Sequence, residues 1–310
     1  MLSLHTNNAA LSAQNAISKT QSNLSTSMTR LSTGFRINSA MDDAAGLQIA
    51  SRLKAQSSGM AVAMRNTQNS TSMLQTAEGA LDEVSNMLIR MKDLATQAAD
   101  ASSTADDKTA MQSEFDALGK ELANVMKNTT FGGKLLLAGT DATVAPAPVV
   151  AAKPGTLMEK MTFQIGASSS ETMEINLKSD MDALVLALRG ASDTYDTPGT
   201  AGTELVGTSA GTPPVVTPTA NATITLLATA LDKVGAVRSG LGAAANRLDH
   251  VYNNLANIST NTKAATGLIM DVDFATESAN MTSSQMLLQA GTAMLKQSNS
   301  MSSMVMSLLQ

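Results

Sequence analysis

Apolar residues recur every seventh position over two long stretches of this chain. The first runs through Leu53, Met60, Thr67, Leu74, Leu81, Leu88 and Ala95, with Ala77, Val84, Met91 and Ala98 as a second row. The other runs through Leu227, Val234, Leu241, Leu248, Leu255, Thr262 and Ile269, accompanied by Leu231, Ala245 and Tyr252. Apolar 3–4 spacing kept up over this many repeats predicts long helices in a coiled-coil-like seam. Each series is roughly 65 Å long at 1.5 Å per residue, and seams of equal length pair readily as antiparallel partners. All seven prolines fall between Pro146 and Pro218. Proline inside a helix costs about 3 kcal/mol, so the flanks are helical and the middle is not. The fold class follows as mainly α. It is a long antiparallel coiled-coil-like helical bundle forming a hairpin, with a small β-hairpin and loop region in the middle of the chain.

Shorter elements fit between the two series. Ser103 or Thr104 caps a helix whose positive end suits Asp106 and Asp107, and Met111, Phe115, Leu118, Leu122 and Val125 form its apolar stripe. Thr129-Thr-Phe-Gly-Gly133 ends it. Met161, Phe163 and Ile165 alternate with polar residues, as do Met173, Ile175 and Leu177, and Gly166–Ser170 supplies the turn of a β-hairpin. Met181 to Leu188 forms one short helix, stopped by Gly190, and residues 191–222 read as an exposed Thr/Pro/Gly-rich loop. The pattern divides the chain into terminal helices at 1–40 and 271–310, a bundle with the hairpin at 41–190 and 223–270, and the loop.

The two ends look incomplete on their own. Residues 1–40 contain no Asp or Glu, and Ile17, Leu24, Met28, Leu31 and Phe35 fall on one helical stripe. Leu287, Met294, Met301 and Leu308 repeat at seven, with Leu288 and Leu295 beside them, and beyond Glu277 the only charged side chain is Lys296. Each buried Leu or Met is worth about 1.5–3 kcal/mol, so stripes left in water are a large unsatisfied term. Pairing the ends hides one face of each, and their low charge predicts that other copies of the chain cover further faces. A membrane-surface helix would prefer Lys and Arg opposite Trp or Phe, and these ends hold too few of both.

Composition narrows the chemistry. Charged residues are 15 % and aromatics 2 %, there are 21 Met, and the net charge is −5. With no Cys, disulfides, thiolate metal sites and a Cys nucleophile are excluded. His5 and His250 are the only histidines, too few for a multi-His metal cluster, and both read as surface or interface residues of helices. A mildly acidic chain without Trp lacks the basic stripe and stacking rings of nucleic-acid binders. Asp42 and Asp43 are adjacent, so they point apart on a helix and favour its start rather than acid–base work. Gly240-Leu-Gly-Ala-Ala-Ala245 lies inside the heptad series, where it is a close-packing point and not a dinucleotide loop. No cofactor and no enzyme activity are expected. The start, Met1-Leu-Ser-Leu-His-Thr-Asn-Asn, has no basic region followed by an apolar run, so any export avoids the usual secretory signal.

The residues Leu31-Ser-Thr-Gly-Phe-Arg-Ile-Asn-Ser-Ala-Met-Asp-Asp-Ala-Ala-Gly-Leu47 resemble the N-terminal signature of bacterial flagellins. Thr130-Phe-Gly-Gly133, Asp273-Phe-Ala-Thr-Glu277, Gln289-Ala-Gly-Thr292 and Leu308-Leu309-Gln310 resemble further segments of that family, and the likeness covers roughly 1–138 and 224–310. The resemblance implies a subunit that polymerises into the extracellular flagellar filament, with the terminal helices innermost. It implies passage through the flagellar export channel after a cytoplasmic stage, with a chaperone on the C-terminal helices at about 271–310. It also implies a filament cap and hook–filament junction proteins as partners. The alternative within the family is a hook–filament junction protein, and outside it a cytosolic coiled-coil scaffold. Outer domains are nearly absent, and sugars on Ser or Thr of 168–223 are open by analogy. Met41 stands where the family commonly has a basic residue. Some flagellins show an innate immune receptor a patch that Arg90-x-x-x-Leu94 and Glu114 match residue by residue. The same residues also read as an Arg90–Asp93 pair across one turn, with Leu94 on the bundle surface.

Overall fold

The computed structural model describes residues 7–137, 154–196, 201–206 and 219–308, with backbone alone for Asp196 and 301–308. Helices dominate: α1 (Asn8–Thr33), α2 (Ala44–Ala98), α3 (Ala105–Asn128), α4 (Lys178–Ala191), α5 (Asp193–Asp196), α6 (Ala220–Met270) and α7 (Phe274–Leu308). Strands β1 (Thr130–Phe131) and β2 (Lys134–Leu135) form one antiparallel hairpin, and β3 (Met161–Gln164) and β4 (Thr172–Ile175) another. Chain contacts separate two units, residues 1–58 with 258–310, and residues 59–257. The terminal unit thus takes in the first turns of α2 and the last turns of α6, which the heptad pattern assigns to the bundle.

In the central unit the first heptad series is core. Met60, Thr67, Leu74, Leu81, Leu88 and Ala95 are buried, as are Ala77, Val84, Met91 and Ala98. On α6, Leu227, Val234, Leu241, Leu248 and Leu255 are buried, but their companions are Ala230, Val237 and Ala244. Leu231, Ala245 and Tyr252 are only half-buried. Positions three and four ahead straddle a helical seam, and here smaller residues take the centre while Leu231 and Tyr252 fall to the rim. The helices α2 and α6 run antiparallel: Met60 and Ala63 cluster with Leu255, and Arg238 on α6 reaches Asp82 at 3.0 Å. Gly240 is a close approach, since a Cβ there would meet Leu177 Cδ2 at 2.5 Å.

Thr104 caps α3 in a capping box with Asp107, whose carboxylate the Thr104 hydroxyl holds below its ordinary pKa. The buried stripe of α3 is Gln112, Phe115, Asp116, Gly119, Leu122, Ala123 and Met126, turned from the expected one; Met111, Leu118 and Val125 are half-buried. Gly132 and Gly133 both have positive φ, 57° and 80°, the requirement of the tight turn between β1 and β2. The second hairpin forms as expected, with Met161 paired to Ile175 and Phe163 to Met173. Gly190 does not stop α4, which continues to Ala191 and is capped at Ser192.

The exposed loop expected at 191–222 is corrected by the structure. Ser192, Thr194, Tyr195, Glu204 and Leu205 are buried. Gln112 on α3 explains why polar residues can enter: its amide nitrogen donates to Asp116 at 2.8 Å and to Glu204 at 2.7 Å. Its amide oxygen accepts from the Leu205 N–H at 2.7 Å. Asp116 also accepts from the Gly202 N–H, and Glu204 from the Asp193 N–H. Satisfied hydrogen bonds, and not apolar area alone, fasten this segment. Residues 197–200 and 207–218, the rest of the expected loop, lie outside the described residues.

Candidate self-assembly surface

The helices α1 and α7 pair antiparallel in the terminal unit. The least exposed positions of α1 are Ala10, Ala13, Ile17, Thr20, Leu24, Ser27, Arg30 and Leu31, and those of α7 are Glu277, Met281, Ser284, Leu288, Gly291, Leu295 and Ser298. Both sets step by three and four, so each helix gives one stripe to a shared seam. The register is fixed at several points. The Asn7 amide, which also caps α1, donates to the Ser298 carbonyl at 3.2 Å. Ile17 fills the space where Gly291 has no Cβ, at 2.9 Å. Arg30 lies between Asp42 and Glu277, 3.8 Å from each, and a polar cleft lined by Asn23, Ser27, Arg30, Glu277, Asn280 and Ser284 follows.

The turn within the signature at 31–47 locks onto residues 269–272, just ahead of the segment at 273–277. Gly34, at φ 76°, ends α1 in the left-handed cap, and its carbonyl accepts from the Val272 N–H at 3.0 Å. Phe35 bridges to Asp271, Arg36 donates its N–H to the Met270 carbonyl at 2.6 Å, and its guanidinium donates to the Ile269 carbonyl at 2.9 Å. Asp42 accepts from the N–H groups of Ser39 and Asn38, which hold its pKa below the ordinary value, helped by the Ser39 hydroxyl and Arg30. Asp43 accepts from the Gly46 N–H at 2.8 Å and starts α2, with Ile37 buried against Gly46. Asp273 starts α7 likewise; the Thr276 hydroxyl and the Ala275 N–H lower its pKa. Both aspartates of the Asp42–Asp43 pair therefore act in turn and cap geometry.

The expected assembly residues divide between two faces. Ile17, Leu24, Leu31, Leu288 and Leu295 belong to the α1–α7 seam, whereas Met28, Phe35, Leu287 and Met294 are exposed. The single stripe expected through Phe35 is corrected, because α1 ends at Thr33 and Phe35 stands in the turn. Met301 and Leu308 have side chains outside the described residues, as does His5. His250 is exposed on α6. Leu11, Met286, Leu287 and Met294 stay exposed after pairing. Met286 lies about 160° round the helix from Leu288, so uncovered apolar groups emerge on the far side of α7 as well as beside its seam. The seam's polar ties, Asn7 to Ser298 and Arg30 to Glu277, were not legible as a pair, because 291 residues separate Asn7 from its partner.

In the central unit Arg90 donates from Nε and Nη2 to one Glu114 oxygen, at 2.9 and 2.6 Å, in place of the expected pair with Asp93. Leu94 is 3 % exposed and belongs to the core, not to the bundle surface. The α2 face that carries Arg90 turns Leu94 inward four residues on, because core packing claims that position. Among the described residues no helix is long and apolar enough to cross a membrane, and no group of three His, Cys, Asp or Glu could hold a metal ion.

Comparison with known proteins bears on the whole chain. The family model described as the bacterial flagellin N-terminal helical region matches residues 4–142, and that of the bacterial flagellin C-terminal helical region matches 224–309. Flagellin A of Vibrio anguillarum is 35 % identical, with all of both chains covered. That alignment runs over 394 positions against 310 residues here, so this relative carries insertions. Polar flagellin F of Vibrio parahaemolyticus is 32 % identical over 99 % of each chain. Among solved structures, a Vibrio parahaemolyticus protein described as flagellar hook-associated has a TM-score of 0.51 at 18 % identity. It covers 74 % of this chain and 99 % of its own, a likeness of fold.

Proposed function

The chain belongs to the bacterial flagellins, structural and non-catalytic subunits of the extracellular flagellar filament, and from that premise we propose how it assembles. Its α1–α7 pair is the inner polymerising element, and the filament serves swimming or swarming motility. One observation carries this reading: pairing leaves Leu11, Met28, Met286, Leu287 and Met294 uncovered in several directions, on helices with almost no charge. A two-sided dimer would need one such face; a subunit with neighbours on several sides needs more. Leu24 and Leu288 preform the pair, and the exposed set joins copies. Before export a chaperone covers the C-terminal helix in the cytoplasm, and a filament cap and junction proteins bound the polymer.

Seeded elongation followed by electron microscopy tests this. Leu287→Asp and Met294→Asp should abolish elongation, with helicity and the α1–α7 pairing retained. Leu288→Asp should separate α1 from α7 as well, seen as fast hydrogen exchange in both. Filaments of normal length from the first two variants would overturn the reading, and a product that stops at a small ring would favour the junction-protein alternative.

The patch at Arg90, Leu94 and Glu114 we assign to surface recognition, by neighbouring subunits or an innate immune receptor, through Arg90 and Glu114 above a structural Leu94. Glu114→Lys should lower receptor signalling or subunit contact at unchanged thermal stability. Leu94→Asp should unfold the surrounding core, so it cannot serve as the test. Unaltered signalling and assembly by Glu114→Lys would remove the assignment.

A further inference from the structure

Among the described residues the methionines are not distributed evenly by exposure. Among the described residues of 59–257, every methionine is buried or half-buried, and Met91, Met126 and Met181 are 0 % exposed. Among the described residues the exposed ones all lie in the terminal unit: Met28 at 56 %, Met41 at 96 %, Met286 at 60 % and Met294 at 68 %. Three of these four stand on the α1–α7 pair, outside its seam, while Met41 stands in the turn before α2.

We propose that Met28, Met286 and Met294 are three oxidation-sensitive modification sites that together decide whether a free subunit can join the polymer, an inference resting on the assembly surface proposed above. The oxidant is of the peroxide class. Its O–O bond breaks, one oxygen passes to the thioether sulfur, the sulfur is oxidised by two electrons, and the peroxide leaves as water. The product is a polar, chiral sulfoxide in place of a flexible apolar side chain. On a free subunit these sulfurs face solvent, so they react first, and the core methionines of the central unit are sheltered. The fold survives and the docking surfaces do not. Once a neighbour covers the same sulfurs, oxidant reaches them slowly, so the growing population is vulnerable and the finished polymer is protected.

The test compares the full chain with a Met28→Leu, Met286→Leu, Met294→Leu variant and with a Met41→Leu control, each treated with hydrogen peroxide as free subunit. Peptide mass spectrometry should place sulfoxide at Met28, Met286 and Met294 at low exposure to oxidant, with circular dichroism unchanged. Seeded elongation of the oxidised chain and of the Met41→Leu control should fall at least tenfold. The triple variant should elongate equally well before and after treatment. Normal elongation by the fully oxidised chain, or equal loss in the treated triple variant, would overturn the proposal. Failure of the untreated full chain to elongate would instead overturn the assembly reading itself. Preformed filaments given the same treatment should show several-fold less sulfoxide at the three positions, and equal modification would count against the proposed shelter.

Discussion

Glu204 shows how one residue can pin a segment that its own composition leaves free. Burial raises its pKa first and foremost, and the nearby Asp193 adds to this, while the Asp193 N–H and the Gln112 amide pull the other way. The folded protein therefore holds this proton more tightly than the unfolded chain does. The associated stability is present below the ordinary value of 4.5 and is lost as pH rises through the elevated one. Urea unfolding between pH 4 and 7 should show the wild-type chain weakening relative to Glu204→Gln as pH rises. Parallel curves would mean that Glu204 does not titrate in this way. Nothing in the sequence announced the residue. A lone Glu among Thr, Gly and Pro looks solvated until Gln112, 92 positions away, is placed beside it.

At the scale of the element, periodicity was a reliable guide wherever one face of a long helix had to be buried. The Leu74, Leu81, Leu88 row and its counterpart at Leu227, Leu241 and Leu248 needed no tertiary information to be recognised as core. Two kinds of feature escaped it. Faces that bury polar groups, such as Gln112 and Asp116 on α3, break the apolar rule because their partners are supplied by a distant segment. Helix ends depend on local backbone conformation, and the stripe through Phe35 ignored the left-handed cap at Gly34. That cap makes a clean test, because a Cβ at Gly34 would meet only Phe274 at an ordinary 3.8 Å. The penalty for Gly34→Ala is then almost wholly conformational, about 1–2 kcal/mol. It should appear as faster hydrogen exchange around 30–37 and 269–277, with the central unit unchanged. Equal destabilisation of both units would contradict a local role for the cap.

At the scale of the whole molecule, the sequence disclosed the antiparallel pairing of long helices, since it follows from heptad spacing and from where proline is absent. Which apolar residues the α1–α7 seam buries and which it leaves exposed was not legible. Leu287 and Leu288 are chemically identical and adjacent, and only the packing of α1 against α7 separates the exposed one from the half-buried one. That packing joins Asn7 to Ser298 across 291 residues. A ribosome adding roughly 5–20 residues per second would leave α1 without its partner for about 15–60 s in every round of synthesis. Nascent chains stalled before residue 274 should thus be cut by protease within 8–33, and completed chains should not. The terminal pair is the last of the long helix pairs to close, and a binder that captures either helix in that interval holds the terminal unit open.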